Sequence, residues 1–200
     1  MSIFFDVGAN NGQDSIRFSD DTNNIVYAFE ADPFWAQTLT NLNRPNYKVI
    51  NKAVTEEEGV KQFFIAPRGN RGCGSLNEFE DNLYSQEGWN DGRSDLVSTE
   101  TINVECIRLD SFCDQNNITE IEYLHCDAQG HDFKVLLSLG KYIDCVKQGR
   151  VEVWLRNPLY KDIEDNYVDN VVNFLTSKGF DCNVVPHSNS NEADIFFVRK

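Results

Sequence analysis

Residues 3–12 read Ile-Phe-Phe-Asp-Val-Gly-Ala-Asn-Asn-Gly, and this stretch decides the fold. Its apolar first half predicts a short buried strand, which leads into a loop that contains Gly8 and Gly12, with Asp6 at the junction. A glycine has no Cβ, so the backbone can turn sharply there and a ligand can lie directly against the main chain. A helix that starts near Gln13 would point its free N–H groups into the same space. The stretch therefore predicts a nucleoside-binding site at the end of the first strand.

A second strand and a carboxylate follow at the spacing that such a site requires. Residues 25–30 read Ile-Val-Tyr-Ala-Phe-Glu, an apolar run that ends in Glu30. Glu30 lies about 20 residues beyond the glycine loop, where an acidic residue accepts hydrogen bonds from ribose hydroxyls in βαβ nucleotide sites. Asp6 and Glu30 are therefore both candidate ligand-binding residues, although Asp6 could instead cap the glycine turn.

Length and charge limit the possible partners. The chain has 200 residues, which fits one domain over residues 1–200 with a three-layer core. It carries 18 Lys and Arg against 32 Asp and Glu, so its formal net charge is −14. A protein with this charge repels a phosphate backbone, and long nucleic acid is not an expected partner. Neutral or cationic small molecules fit the charge better.

No segment of the sequence predicts secretion or insertion into a membrane. The N-terminus lacks a basic region followed by an apolar run, and the chain has no stretch of about 18 apolar residues. The six cysteines include no C-x-x-C pair, which argues against a zinc ribbon or a redox dithiol. The sequence therefore predicts a cytoplasmic protein with reduced thiols.

Apolar runs alternate with helix-like segments along the chain. Runs rich in β-branched and aromatic residues predict strands over residues 3–7, 25–29, 47–50, 60–65, 102–109, 121–126, 151–155, 180–185 and 194–199. Helical spacing predicts helices over residues 33–42, 131–139 and 163–177. Strands separated by helices predict an α/β fold with a largely parallel sheet covered on both faces. Only a short polar segment joins the last two strands, so they should pair as an antiparallel hairpin.

Residues 66–101 are the least regular part of the sequence, because proline and glycine interrupt every period there. The charged and aromatic side chains available for contacts with a ligand are Arg68, Arg71, Tyr84, Trp89 and Arg93. Long irregular inserts in compact domains often form lids or binding loops. We expect this insert to border the substrate, with an ordinary solvated loop as the alternative.

Five motifs occur in a specific order along the chain. They are Asp-Val-Gly-Ala-Asn-Asn-Gly at 6–12, Ala-Phe-Glu-Ala-Asp-Pro at 28–33, Asn-Lys-Ala-Val at 51–54, Ile-Arg-Leu-Asp-Ser-Phe at 107–112 and Tyr-Leu-His-Cys-Asp-Ala-Gln-Gly-His-Asp at 123–132. Together they resemble the FkbM family of S-adenosylmethionine-dependent methyltransferases over nearly the whole chain. The resemblance implies a three-layer, Rossmann-like class I methyltransferase sandwich, whose mostly parallel seven-stranded sheet includes a C-terminal antiparallel hairpin. It also implies S-adenosylmethionine as cofactor and methyl transfer to a hydroxyl on a small molecule or a sugar.

The resemblance implies roles for individual residues as well. The cofactor-binding positions are Asp6, Gly8, Ala9, Asn10 and Gly12 at the methionine end, Glu30 at the ribose, and Ala31 and Ala53 beside the adenine. Asp127 matches the acidic position that lies close to the transferred methyl group. The neighbouring Phe34 and Trp35 are expected to pack in the core rather than to stack on the adenine.

The sequence departs from the family pattern where catalysis is expected. Family members commonly carry Lys-Ile-Asp-Val-Glu-Gly-Ala-Glu where residues 125–132 read His-Cys-Asp-Ala-Gln-Gly-His-Asp. Asp127 is the first candidate for a base that removes the acceptor proton, and His131 is the second. Their structural alternatives are that Asp127 only orients a ligand and that His131 is a polar surface residue. Glu152, on a later strand, is a further candidate acid or the partner of a buried basic group.

A metal site is a weaker interpretation of the same segment. His125, Asp127 and His131 offer nitrogen and oxygen ligands, but they lack the spacing of an established motif. No metal is therefore predicted.

Two further functions and one further partner remain open at this point. The fold could serve as a non-catalytic nucleoside-binding module. An NAD-dependent oxidoreductase is disfavoured because its G-x-G-x-x-G fingerprint requires glycine where this chain has Asn10. Many relatives have an N-terminal extension that covers the substrate, whereas this chain begins almost at its first strand. The resemblance therefore implies either an open acceptor site or one that another subunit of a homo-oligomer completes.

Overall fold

The computed structural model describes residues 1–66, 68–81, 83, 100–188 and 191–200, which form an α/β fold. The described strands are β1 (Ile3–Val7), β2 (Ile25–Phe29), β3 (Tyr47–Ile50), β4 (Ala53–Val54), β5 (Gly59–Ile65), β6 (Glu100–Ile107), β7 (Tyr123–Cys126), β8 (Gln148–Trp154), β9 (Phe180–Pro186) and β10 (Glu192–Arg199). Seven of them form the main sheet, in the order β3-β2-β1-β7-β8-β10-β9. β10 is antiparallel to both of its neighbours, and the other adjacent pairs are parallel. The predicted mostly parallel sheet and its C-terminal hairpin are confirmed.

The described α-helices cover the two faces of this sheet. They are α1 (Pro33–Thr40), α2 (Leu109–Asn116), α3 (Asp132–Ser138) and α4 (Val168–Ser177). Apolar residues of α2, α3 and α4 pack on one face, together with Phe5 and Val7 of β1. Leu39 of α1 packs on the other face against Phe4, and a 3-10 helix, Ile16–Asp20, lies on the same side. Because β1 is buried on both faces, its sequence is continuously apolar except for Asp6.

Local sequence signals place α1 directly after β2. The carboxylate of Asp32 accepts a hydrogen bond from the N–H of Phe34 at 2.9 Å, and Pro33 occupies the first turn. An acidic N-cap followed by proline is a favourable helix start. The cap fixes the direction in which the chain leaves β2, and therefore the position of Glu30 at the tip of that strand.

Three strands stand apart from the main sheet. β4, β6 and β5 form a small sheet in that order, with β5 and β6 antiparallel. The strands predicted over 60–65 and 102–109 thus exist, and they pair with each other. The second of them ends at Ile107, because Leu109 already begins α2. Leu109, Phe112 and Cys113 have the spacing of one helical face, a signal that could have predicted α2.

One predicted helix start is wrong, and the helix considered near Gln13 does not form. No α-helix forms near Gln13, where the chain makes turns before the 3-10 helix that begins at Ile16. An α-helix does not start here because Asn10 and Gly12 have positive φ angles. The short polar side chains that follow also compete for the backbone hydrogen bonds of a helix. The helix predicted from residue 163 begins instead at Val168, because Tyr167 is extended.

No helix in the described part of the chain is long and apolar enough to cross a membrane.

Candidate active site

The carboxyl ends of β1, β2 and β7 border a cavity that opens to solvent. Parallel strands deliver their following loops to one edge of the sheet, where α/β proteins bind ligands. Seven predicted residues line the cavity: Gly8, Asn10, Glu30, Ala31, Ala53, Asp127 and His131. Ala9 lines a smaller adjoining cavity, while Asp6 and Gly12 line neither of the two.

The first loop is tied to β2 through its own backbone. The N–H groups of Gly8 and Ala9 both donate to the carbonyl oxygen of Phe29, at 3.0 and 3.1 Å. Gly12 has a φ of +79°, and a Cβ there would meet Ile16 and Leu39 at less than 3 Å. Gly12 therefore allows the loop to pack closely on α1. It determines the shape of the loop and does not line the cavity.

Glu30 organises the cavity from the tip of β2. Its Oε2 accepts a hydrogen bond from the N–H of Asn10 at 2.6 Å, and its Oε1 accepts one from the N–H of Asp32 at 2.7 Å. Burial raises the pKa of Glu30 to about 7, although these two hydrogen bonds lower it. Each carboxylate oxygen can accept a second hydrogen bond, so Glu30 retains acceptor positions for a ligand.

The beginning of the 66–101 insert forms one wall of the cavity. Arg71 lies in a 3-10 helix, Arg68–Cys73, and donates from Nε and Nη2 to the two carboxylate oxygens of Asp32, at 2.6 and 2.9 Å. The carboxylate of Asp32 is 2% exposed, and the Arg71 guanidinium also lies over the ring of Phe34 at 4.8 Å. Arg71 lines the cavity, as do Gly72, Gly74 and Leu76. Tyr84, Trp89 and Arg93 lie outside the described residues, as does the side chain of Arg68.

The expectation that Phe34 and Trp35 pack in the core is wrong. Phe34 is 53% exposed, whereas Trp35 lines the cavity. The capped start of α1 turns Ala36 and Leu39 into the core instead. Among the described residues, the buried Nε1 of Trp35 and Oδ1 of Asn10 have no hydrogen-bond partner. One unused donor and one unused acceptor therefore belong to residues that line the cavity.

Asp127 follows β7 on the opposite wall. The side-chain amide of Gln129 donates to Oδ1 of Asp127 and, at 3.3 Å, to Oε2 of Glu152. The hydroxyl of Tyr160 lies 2.6 Å from Oε1 of Gln129 and fixes the direction of that amide. Burial raises the pKa of Asp127, against the effects of His125 and of the Gln129 hydrogen bond. The amide of Gln129 thus donates to two carboxylates, the half-buried Asp127 and the buried Glu152, and an ionised glutamate at this position could not donate.

His131 is buried between two polar side chains, so the surface interpretation of this residue is wrong. Its Nδ1 lies 2.9 Å from Oδ1 of Asn77, and its Nε2 lies 2.7 Å from Oγ1 of Thr55. The amide nitrogen of Asn77 donates to the carbonyl of Lys161, so Oδ1 accepts from the histidine ring. Burial lowers the pKa of His131 to about 4, and the ring is therefore neutral near pH 7.

The family model for the methyltransferase FkbM domain matches residues 6–182 of this chain. The chain belongs to the FkbM family. The match includes every predicted site residue from Asp6 to His131, and no curated protein matches the chain.

Solved structures share the fold of this FkbM domain. A fibrillarin/Nop5p complex aligns with a TM-score of 0.51 at 14% identity, over 100% of this chain and 73% of that chain. A putative rRNA-methylase from Clostridium thermocellum aligns with a TM-score of 0.50 at 12% identity, over 98% of this chain and 86% of that chain. At these identities the likeness shows the class I methyltransferase fold alone.

Asp132 shapes the FkbM motif that follows β7. Its Oδ1 accepts a hydrogen bond from the N–H of Ala128 at 2.6 Å, and its Oδ2 accepts one from the N–H of Gly130 at 3.1 Å. Burial raises the pKa of Asp132 to about 6. The carboxylate of Asp132 holds the loop that presents Asp127 and Gln129. The sequence shows only that Asp132 stands where family members commonly carry glutamate, and it does not predict this role.

Asp6 and His125 form a buried pair beneath the FkbM glycine loop. Their Oδ1 and Nδ1 atoms lie 2.7 Å apart. Nη2 of Arg150 donates to the other ring nitrogen, Nε2, which is therefore unprotonated, so His125 donates to Asp6. His131 faces Thr55 and Asn77, and these contacts do not bring His125, Asp127 and His131 together as metal ligands.

A second polar group lies further along the same edge of the FkbM sheet. Nδ1 of His187 is 3.6 Å from Oε2 of Glu192 and 4.0 Å from Oε1 of Glu152. Its Nε2 is 3.3 Å from Oδ2 of Asp194. Burial, together with the charges of Asp127 and Glu192, raises the pKa of Glu152 well above its usual range. The predicted interpretation of Glu152 as the partner of a basic group fits the contact with His187.

Proposed function

We propose that this FkbM domain binds S-adenosylmethionine and transfers its methyl group to a hydroxyl oxygen of a small molecule or a sugar. The observation that carries the proposal is the position of Glu30 and Asp127 on the walls of one cavity. Membership of the FkbM family supports methyl transfer as the reaction.

The cavity offers suitable partners for the adenosyl part of the cofactor. In the proposal, Glu30 accepts hydrogen bonds from the ribose hydroxyls, and Ala31 and Ala53 contact the adenine. The unused donor of Trp35 is available to a nitrogen or oxygen acceptor of the nucleoside. The apolar lining, which includes Val54, Phe63 and Leu76, suits a flat base.

The methionine end is assigned to the adjoining smaller cavity, which Ala9, Asn10 and Asp14 line. Gly8, Asn10 and Asp127 line both cavities, so the two are neighbours. The unused acceptor of Asn10 suits an ammonium group, and so does the carboxylate of Asp14, one oxygen of which also accepts from Arg150 at 3.1 Å. Asp6 contributes indirectly, because it fixes His125 beneath the loop.

The reaction requires alignment above all. The bound cofactor supplies an electrophilic methyl group, and the acceptor oxygen forms a bond to that carbon as the sulfur–carbon bond breaks. Holding the two in line can contribute about 7–11 kcal/mol. Asp127 is proposed to orient the acceptor hydroxyl and to take its proton, which typically adds about 10²–10⁴-fold. His131 is the weaker candidate, because both of its ring nitrogens already contact protein atoms.

The insert at 66–101 is proposed to border the acceptor. Four of its residues, Arg71, Gly72, Gly74 and Leu76, line the cavity. The net charge of −14 favours a neutral or cationic acceptor over a polyanion.

Two measurements in sequence test the proposal. Isothermal titration calorimetry with S-adenosylmethionine, S-adenosylhomocysteine and NAD should show binding of the first two and none of NAD. A methyl-release assay over a panel of hydroxylated small molecules and sugars should then show turnover. Binding without turnover on any acceptor would favour the non-catalytic module, and binding of NAD alone would overturn the proposal.

A further inference from the structure

The group formed by Glu152, His187, Glu192 and Asp194 is assembled from three strands. Glu152 lies on β8, His187 follows β9 directly, and the other two lie at the start of β10. The antiparallel register pairs Asp194 with Glu152 across neighbouring strands. The group is therefore held by sheet hydrogen bonds rather than by a loose surface segment, which favours a fixed geometry.

The distances within this group suit a metal ion. The ligand atoms of Glu152, His187 and Glu192 all lie within 4.8 Å of one another. Ligands on a tetrahedral metal at about 2.1 Å lie about 3.4 Å apart, close to the 3.6 and 4.0 Å that separate the His187 nitrogen from the two carboxylates. Small side-chain rotations would complete the arrangement.

His187 has the outer contact that metal-binding histidines require. While Nδ1 faces the two glutamates, the opposite nitrogen, Nε2, faces the carboxylate of Asp194 at 3.3 Å. A histidine that binds a metal almost always donates its other N–H to a carboxylate or carbonyl, which fixes the ring. An ordinary cluster of acidic residues lacks this two-sided contact.

The charge balance also favours a cation. Asp127, Glu152, Glu192 and Asp194 lie close together, and Glu192 is only 1% exposed. His187 and Arg150 are cationic groups that contact members of this set, and Arg150 also pairs with Asp14. A divalent ion would place further positive charge among these carboxylates. His187 is partly exposed, which gives an ion a path from the solvent.

We propose that Glu152, His187 and Glu192 bind a divalent transition-metal ion such as Mn²⁺ or Zn²⁺, with Asp194 as the positioning residue for His187. An imidazole nitrogen with two carboxylates suits these ions better than Mg²⁺ or Ca²⁺, which prefer oxygen ligands alone. Three protein ligands leave coordination positions open. Gln129 contacts both Glu152 and Asp127, so the metal lies beside the proposed methyl-transfer position. If the proposed function holds, the open positions receive oxygen atoms of the acceptor.

Metal binding can be measured without any methyl transfer. The full chain is treated with a chelator and titrated with Mn²⁺ by electron paramagnetic resonance, then with Zn²⁺, Mg²⁺ and Ca²⁺ by calorimetry. We expect one Mn²⁺ per chain, and at least tenfold weaker binding in Glu152→Gln, His187→Gln and Glu192→Gln. Asp194→Asn should weaken binding about 10–100-fold. Glu122→Gln is the matched control, because Glu122 pairs with Lys147 at the opposite edge of the sheet.

The outcomes separate this inference from the proposed function. Absence of saturable Mn²⁺ binding below about 1 mM, or equal affinity in the wild type and the three ligand variants, would overturn the metal site. If the buried Glu192→Gln fails to fold, the more exposed His187→Gln still decides the question. S-adenosylhomocysteine binding in each variant checks that the cofactor cavity is intact. Loss of metal binding with the cavity intact supports the site whether or not an acceptor is ever found.

Discussion

The α-carbon of Gly8 lies against the carbonyl oxygen of Asp127, so closely that an added Cβ would stand 1.9 Å from that oxygen. The N–H of Asp127 in turn donates to the carbonyl of Val7 at 2.9 Å. These contacts join the tip of β1 to the tip of β7, and they hold together the two loops that line the cavity.

Gly8→Ala should be among the most damaging substitutions in this chain. The φ of Gly8 is +80°, and the clash involves backbone rather than a flexible side chain. We expect a loss of more than about 3 kcal/mol in the free energy of unfolding, measured by urea denaturation. Gly179→Ala is the matched control, because Gly179 has a φ of +84° and an added Cβ would lie 3.9 Å from the side chain of Arg199, which is ordinary van der Waals contact. The control should lose about 1 kcal/mol from backbone strain alone. Equal losses in the two variants would show that the contact with Asp127 imposes no constraint.

Arg71→Gln should loosen the wall of the cavity. The substitution leaves the buried Asp32 with its N-cap hydrogen bond but without its charged partner. We expect a loss of about 1–3 kcal/mol in stability and faster dissociation of S-adenosylhomocysteine, measured by stopped-flow fluorescence. Arg17→Gln is the control, because the exposed Arg17 also lies over an aromatic ring, at 5.0 Å from Phe18. Unchanged dissociation in Arg71→Gln would exclude Arg71 from the wall that retains the cofactor.

The parts of the fold that the sequence predicts are those that depend on local pattern. β1, β2 and β3 have the predicted bounds, because each is a short apolar run that ends in a turn signal. The same local pattern places Glu30 at a strand tip, whereas Asp127 is identified through the resemblance to the FkbM family, and both residues line the cavity. Arg71 was named as a side chain for ligand contacts and lines the cavity, but its pairing with Asp32 depends on the path of an irregular insert. Trp35 was misplaced, because the direction in which its side chain leaves α1 depends on how that helix packs. His187 and Glu152 meet only through the register of β8, β10 and β9, which no local pattern encodes.

Glu30→Ala should weaken cofactor binding by more than tenfold, or about 1.4 kcal/mol. The variant removes the proposed ribose acceptor and also frees the N–H groups of Asn10 and Asp32, so the loop loses its anchor. Calorimetry with S-adenosylhomocysteine measures the change. Glu120→Ala serves as the control, because Glu120 is an exposed partner of Lys147 and neither residue lines the cavity. Affinity within twofold of the wild type in Glu30→Ala would remove Glu30 from the cofactor site.

The same carboxylate should make stability depend on pH. Burial raises the pKa of Glu30 from 4.5 to about 7, so its contribution is fully present below pH 4.5 and is lost as the pH rises through 7. The loss amounts to at most about 3 kcal/mol. Free energies of unfolding measured from pH 5 to pH 8 should therefore fall less steeply in Glu30→Gln, which stays neutral, than in the wild type. The comparison uses the slope of the free energy of unfolding against pH, because the glutamine side chain also lowers the absolute free energy of unfolding at every pH. Parallel slopes would contradict the raised pKa.

Asp127→Asn should separate catalysis from cofactor binding. The asparagine keeps an oxygen for the amide of Gln129 but cannot accept the acceptor proton. We expect kcat to fall by about 10²–10⁴-fold, with less than a threefold change in S-adenosylhomocysteine affinity. Burial raises the pKa of Asp127, so kcat of the wild type should increase with pH through that raised pKa, and the variant should lack this limb. Asp114→Asn, an exposed partner of Lys141, is the control and should keep the wild-type profile. Full turnover in Asp127→Asn would show that this position does not act as a base and contributes only to alignment of the acceptor.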